Sequence, residues 1–214
     1  TLVGRDPADF ETLADEIEAL PAERSGGDRL HTAVRYGVSQ ALLDAAAKAR
    51  QTTKTDVIAD AVGSRPATEP IPVFGQSGDE RHTNAEKMLL KRVGVLPHGL
   101  FNSVEKVGPE GERLCEYVSW LAERTGELGP EDYSPRFHID VYGILGKVFG
   151  PPYDRPEVTD YFRSLEEAAA PYPLQIEGPM DAGDRRSQIE RMCELRGGLA
   201  SAGVDVDLVA DEWC

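Results

Sequence analysis

No stretch of this 214-residue chain approaches the ~18 consecutive apolar residues that a membrane-spanning helix needs. The opening Thr1-Leu-Val-Gly-Arg-Asp-Pro7 lacks the basic start and apolar block of a secretory leader. Cysteine is scarce: Cys115, Cys193 and Cys214 are odd in number and form no C-x-x-C pair. That pattern argues for reduced thiols in a cytoplasm and against structural zinc. Basic charge is short too, with 23 Lys and Arg against 38 Asp and Glu, a formal net charge of −15. Nucleic acid is excluded as a partner, because phosphates demand a basic surface. Most of the acidity reads as a solvated face. Gly75-Gln-Ser-Gly-Asp79 is followed by no Lys-Ser/Thr, so it is not a phosphate loop, and residues 143–150 lack the dinucleotide fingerprint.

What remains is globular in composition, 40% hydrophobic and 29% charged, enough to bury a core. Residues 1–66 read as helical. Phe10, Leu13, Ile17 and Leu20 recur at the spacing of one helix face. Gly26-Gly27 breaks the pattern, and a long helix follows over 33–49, with a stripe of Val34, Val38, Ala41, Leu42 and Ala45. A shorter helix over 54–62 has Thr53 as its candidate N-cap and Gly63 after its end. Residues 64–70 form a connector. From there the rhythm is strand, helix, strand, about five times over, the signature of parallel βα units. The strand-like runs end at Gln76, His98, Asp140, Glu177 and Asp211.

The run Arg136-Phe-His-Ile-Asp140 shows why these ends matter. A strand period of two sends Arg136, His138 and Asp140 to one face, Phe137 and Ile139 to the other. Asp140 and Glu177 are 37 residues apart, Glu177 and Asp211 34, each gap one βα unit. Three carboxylates are thus expected at the same height on adjacent strands, at the carboxyl ends where such folds place active sites. Converging carboxylates repel unless a cation joins them, and oxygen-only ligation favours Mg²⁺ or Mn²⁺. Singly, each would more often be a helix cap or surface ion pair; as a set of three they point to metal.

His98, in Leu96-Pro-His-Gly-Leu100, is balanced between an acid/base role and a hydrogen-bonded loop residue. His138, two residues before Asp140, is expected one layer deeper, orienting a carboxylate from behind; simple packing is the alternative. The Gln76 amide could bind a substrate carboxylate or amine, with turn chemistry equally open. His31 and His82 carry no particular chemistry.

Several long motifs then agree in order with one family. Gly75-Gln-Ser-Gly-Asp79, residues 96–102, Arg136-Phe-His-Ile-Asp-Val-Tyr-Gly-Ile-Leu-Gly146, Ile176-Glu-Gly-Pro-Met-Asp181 and Val209-Ala-Asp-Glu-Trp213 closely resemble methylaspartate ammonia-lyase, of the enolase superfamily, as does the helix around residues 30–40. The resemblance implies an α/β fold: residues 1–66 as the helical part of an N-terminal capping domain, residues 67–214 as the first part of a TIM-type (β/α) barrel. It implies Mg²⁺ held by Asp140, Glu177 and Asp211, the set that spacing suggests, and admits a monovalent cation such as K⁺. The activity implied is a carbon–nitrogen lyase: elimination of ammonia from L-threo-3-methylaspartate to mesaconate through a metal-stabilised enolate. His98 would be catalytic and substrate-binding, Gln76 substrate-binding. A homodimer acting on a small amino acid in the cytoplasm, away from nucleic acid and membrane, completes the implication. Residues 71–214 number 144, against ~250 for a whole eight-stranded barrel. The family's principal base, a lysine on a later strand, has no counterpart here. The chain therefore reads as an internal fragment. Another enolase-superfamily reaction, racemisation or cycloisomerisation, and an inactive metal-binding fragment both stay open.

Overall fold

The computed structural model of the chain describes residues 2–20 and 31–210. Two compact units divide it, Thr1–Pro70 and Ile71–Cys214. In the first, three helices are described: α1 (Phe10–Glu18), α2 (Thr32–Arg50) and α3 (Lys54–Ala61). The expected face of α1 is the buried one, with Leu13 and Ile17 packed on Leu42 of α2 and Phe10 alongside. On α2 the stripe shifts. Val34 and Ala41 are exposed; Leu42 is buried as expected, joined by Leu43, Ala46 and Ala47. Leucine and alanine cluster in the later turns of α2, which pack on both α1 and α3. Thr53 caps α3 as expected. Its hydroxyl accepts from the Asp56 N–H at 3.1 Å while the Asp56 carboxylate accepts from the Thr53 N–H at 3.1 Å. The break at Gly26-Gly27 lies outside the described residues.

The second unit runs α4 (Arg81–Leu90), β1 (Val95–Leu100), α5 (Val104–Val107), α6 (Glu112–Leu128), β2 (Arg136–Asp140), α7 (Ile144–Phe149), α8 (Pro156–Ala169), β3 (Leu174–Glu177), α9 (Arg185–Ala202) and β4 (Val206–Val209). Its strands form one parallel sheet in chain order, β1-β2-β3-β4. Among the described residues the sheet has four strands, not five. Residues 71–74 make no strand: Phe74 and Gly78 form isolated parallel bridges to Val95 and Gly99. The segment still follows β1, since the Gly75 N–H donates to Val95 at 2.8 Å and the Ser77 N–H to Pro97 at 2.7 Å. Pro72, which has no N–H to offer, and two glycines keep it from a continuous ladder.

One face of the sheet is apolar. Leu96, Phe137, Ile139, Leu174, Ile176 and Val206 belong to a single core with residues of α4, α6, α8 and α9. Phe137 and Ile139 are fully buried, each worth about 1.5–3 kcal/mol of hydrophobic stabilisation. By alternation the other face carries His138 and Asp140 on β2, Gln175 and Glu177 on β3, and Asp207 on β4. That polar face is where the chemistry lies.

Candidate metal centre

Register decides which polar residues meet. Asp140 pairs directly with Glu177, and His138 with Gln175. Neighbouring strands lie ~4.8 Å apart, so the two carboxylates project side by side from the last positions of β2 and β3. Val209 is the β4 residue level with Glu177, and the expected third carboxylate, Asp211, lies outside the described residues.

His98 reaches the same place by a different route. Alternation from buried Leu96 would send its ring toward the helices. Instead the β1–β2 register slips between Pro97 and Gly99, leaving His98 as the extra residue of a bulge with φ +43°. Such bulges re-aim a side chain. The ring, with the residue 9% exposed, lies with Nδ1 3.3 Å from Glu177 Oε2 and Nε2 3.9 Å from Asp140 Oδ2. His98 is therefore not the end of its strand, as the sequence suggested; β1 continues to Leu100.

His138 sits one layer down, as alternation predicts, and is 4% exposed. Its Nε2 is 2.5 Å from Glu177 Oε2 and its Nδ1 3.2 Å from Gln175 Oε1. Asp140, also 4% exposed, accepts the Tyr142 N–H at 3.1 Å through Oδ1. Gly178, at φ +56°, turns the chain directly after Glu177, a conformation glycine adopts freely. His98, His138 and Glu177 each bring one ligand atom into a group within 4.8 Å of one another, and Glu177 Oε2 is the oxygen that both rings face.

Phe74 and Gln175 were missed by sequence reasoning. The Phe74 ring sits 5.4 Å from that of His98 and 4.9 Å from that of His138, edge-on to the latter. Gln175 had a readable signal, because it precedes Glu177 by two residues as His138 precedes Asp140. Gln76 is exposed, two residues beyond Phe74 and so on the same side of its segment; a Cβ on intervening Gly75 would point at Met88 and Val93 instead. Arg136, at the start of β2, pairs with Asp207 at 2.5 Å.

Family comparison bears on what this constellation is. A family model described as "Methylaspartate ammonia-lyase C-terminus" matches residues 66–214, and one described as the N-terminus of the same enzyme matches residues 1–63. The chain belongs to the methylaspartate ammonia-lyase family. It is 70% identical over 213 residues to a methylaspartate ammonia-lyase from Haloarcula marismortui, covering 100% of this chain and 50% of that protein. A relative of the same name from Clostridium tetanomorphum is 49% identical over 215 residues, covering 100% of this chain and 51% of its own. Among solved structures, the Mg-complex of β-methylaspartase from Clostridium tetanomorphum superposes with a TM-score of 0.89 at 48% identity, over 100% of this chain and 51% of that one. The Citrobacter amalonaticus enzyme containing (2S,3S)-3-methylaspartic acid gives 0.92 at 46% identity, over 99% and 51%. The chain thus spans about half the length of the curated relatives it matches.

Proposed function

We propose that the chain carries the cation-binding part of a Mg²⁺-dependent ammonia-lyase that converts L-threo-3-methylaspartate to mesaconate. The observation that carries this reading is the in-register pair Asp140–Glu177, two neighbouring carboxylates at the ends of adjacent parallel strands. Such a pair fits a hard divalent ion, with Asp211 as third ligand and water or substrate oxygens completing the shell. Support for the ion's identity comes from the magnesium complex of the Clostridium relative. Bound there, Mg²⁺ would offset the negative charge that builds on the substrate's side-chain carboxylate as the neighbouring C–H proton is lost.

The chain's own residues have distinct tasks. His138 holds Glu177 through Nε2 and is itself held by Gln175, fixing the direction in which that carboxylate faces. His98 puts an imidazole nitrogen beside both carboxylates, in reach of a substrate bound to the ion, where it can hold or move a proton. Gln76 supplies an amide to a substrate carboxylate. The Phe74 ring packs against the two imidazoles.

The sheet is read as part of a (β/α) barrel. In support, strand order follows chain order, and among the described residues the apolar face of the sheet shares one core with the helices while the other face carries ionisable side chains. The substrate preference comes from the Citrobacter complex with (2S,3S)-3-methylaspartic acid. A homodimer of the full-length protein belongs to the same proposal. The 214 residues alone are expected to bind cation without turnover, since the relatives are about twice as long.

The test uses a protein of the relatives' full length that includes this chain. Supplied with Mg²⁺ and 3-methylaspartate, it should release ammonia and form mesaconate, followed by ultraviolet absorbance. Activity on other carboxylates but none on 3-methylaspartate would favour a different enolase-superfamily reaction.

A further inference from the structure

Two imidazole nitrogens and a carboxylate oxygen converge on one point beside the carboxylate pair. The His138 ring bridges two neighbours, with Nδ1 3.2 Å from Gln175 Oε1 and Nε2 2.5 Å from Glu177 Oε2. An Nδ1–H given to Gln175 leaves the Nε2 lone pair available to a metal ion. His98 approaches the same oxygen from the other side. Its Nδ1 is buried, has no hydrogen-bond partner, and stands 3.3 Å from the same oxygen.

We propose that His98 Nδ1, His138 Nε2 and Glu177 Oε2 form a second cation site, suited to a borderline-soft divalent ion of the Zn²⁺ class. Two imidazoles and one carboxylate favour Zn²⁺, Co²⁺ or Ni²⁺ over Mg²⁺, which takes oxygen ligands. The scale fits. Ligands ~2.0–2.1 Å from a tetrahedral ion stand ~3.3 Å from each other, the spacing that His98 and Glu177 already have. The His138–Glu177 edge, at 2.5 Å, would open by about 0.8 Å to admit the ion. Gln175 is the outer partner that metal-bound histidines require, accepting the Nδ1–H and leaving Nε2 for the ion. Water takes the fourth place. Glu177 also belongs to the proposed Mg²⁺ set, so the two ions compete for it, and a Zn²⁺-class ion would act as an inhibitor. Only this competition rests on the Mg²⁺ reading.

The experiment uses the 214-residue chain in a Cys193→Ser, Cys214→Ser background, so that those thiols supply no ligands. ZnCl₂ binding is followed by calorimetry, and CoCl₂ binding by the visible bands of the ion. One ion should bind, with affinity at least about tenfold weaker in His98→Ala and in His138→Ala. Asp140→Asn should leave Zn²⁺ binding intact while removing the response to Mg²⁺. Circular dichroism checks that each variant is folded. Independently of any histidine variant, ¹⁵N NMR of the ring nitrogens should show His98 Nδ1 and His138 Nε2 shifting on addition of Zn²⁺. No binding, binding unchanged in both histidine variants, or ring signals that do not move would overturn the proposal. Failure of the Mg²⁺ reading would look different: Zn²⁺ would bind through the histidines while Mg²⁺ had no effect on the parent chain.

Discussion

Replacing His138 by alanine should destabilise the second unit most when no divalent cation is present. The side chain is 4% exposed and holds Glu177 at 2.5 Å, beside Asp140 in register. Its removal deletes a hydrogen bond to a charged group, worth about 1.5–3 kcal/mol. It also leaves Glu177 near a second carboxylate with less to offset its charge. With the His138 and Glu177 side chains only 6% and 14% exposed, the upper end of that range applies. A loss of about 3 kcal/mol lowers the melting temperature by roughly 6–12 °C for a unit of this size. Saturating Mg²⁺ should recover about half of that loss, because a cation on Asp140 and Glu177 takes over the neutralisation. The assay is thermal and urea unfolding of parent and His138→Ala chains, first with EDTA and then with Mg²⁺. A loss below about 1 kcal/mol, or one of equal size with and without Mg²⁺, would refute the reasoning.

Further outcomes follow from local geometry. Gly178→Ala meets no clash, its Cβ lying 3.6 Å from Asp140 Oδ1, but must hold φ +56°; urea unfolding should show a loss of about 1 kcal/mol from that strain alone. Hydrogen bonds from the Thr53 and Thr52 hydroxyls hold the Asp56 carboxyl below its ordinary range. A group depressed in the folded state contributes stability that is present above its unfolded pKa and lost as pH falls through the folded one. NMR titration should therefore place Asp56 below an unstructured aspartate, and Thr53→Ala should return it toward ordinary. Burial pushes the Cys115 thiol up, while Cys193 is exposed; mass mapping after brief thiol labelling should find Cys193 modified well before Cys115.

Alternation made much of this molecule legible. The two faces of β2 and β3, the core at Phe137, Ile139, Leu174 and Ile176, and the depth of His138 all follow from a period of two. Register was not legible, because it depends on how each connecting helix packs. That is why the β4 residue level with Glu177, Val209, could not be read from two nearly equal gaps in sequence. The bulge that turns His98 toward Glu177 was hidden for a related reason: a slip of one residue reverses every inference from parity. Near Phe74 the sequence promised a strand, and proline with flanking glycines reduced it to isolated bridges along β1. Those bridges nonetheless bring the Phe74 ring onto both imidazoles, a contact between residues 24 and 64 positions apart in sequence.

The central claim is that Asp140 and Glu177 together hold a divalent cation, and calorimetric titration of the 214-residue chain with MgCl₂ tests it most directly. The account predicts saturable binding, with a stabilisation of about 2.7 kcal/mol once Mg²⁺ reaches a hundredfold excess over its Kd. Asp140→Asn and Glu177→Gln should each abolish it. Mg²⁺ binding that persists undiminished in both variants would contradict the claim.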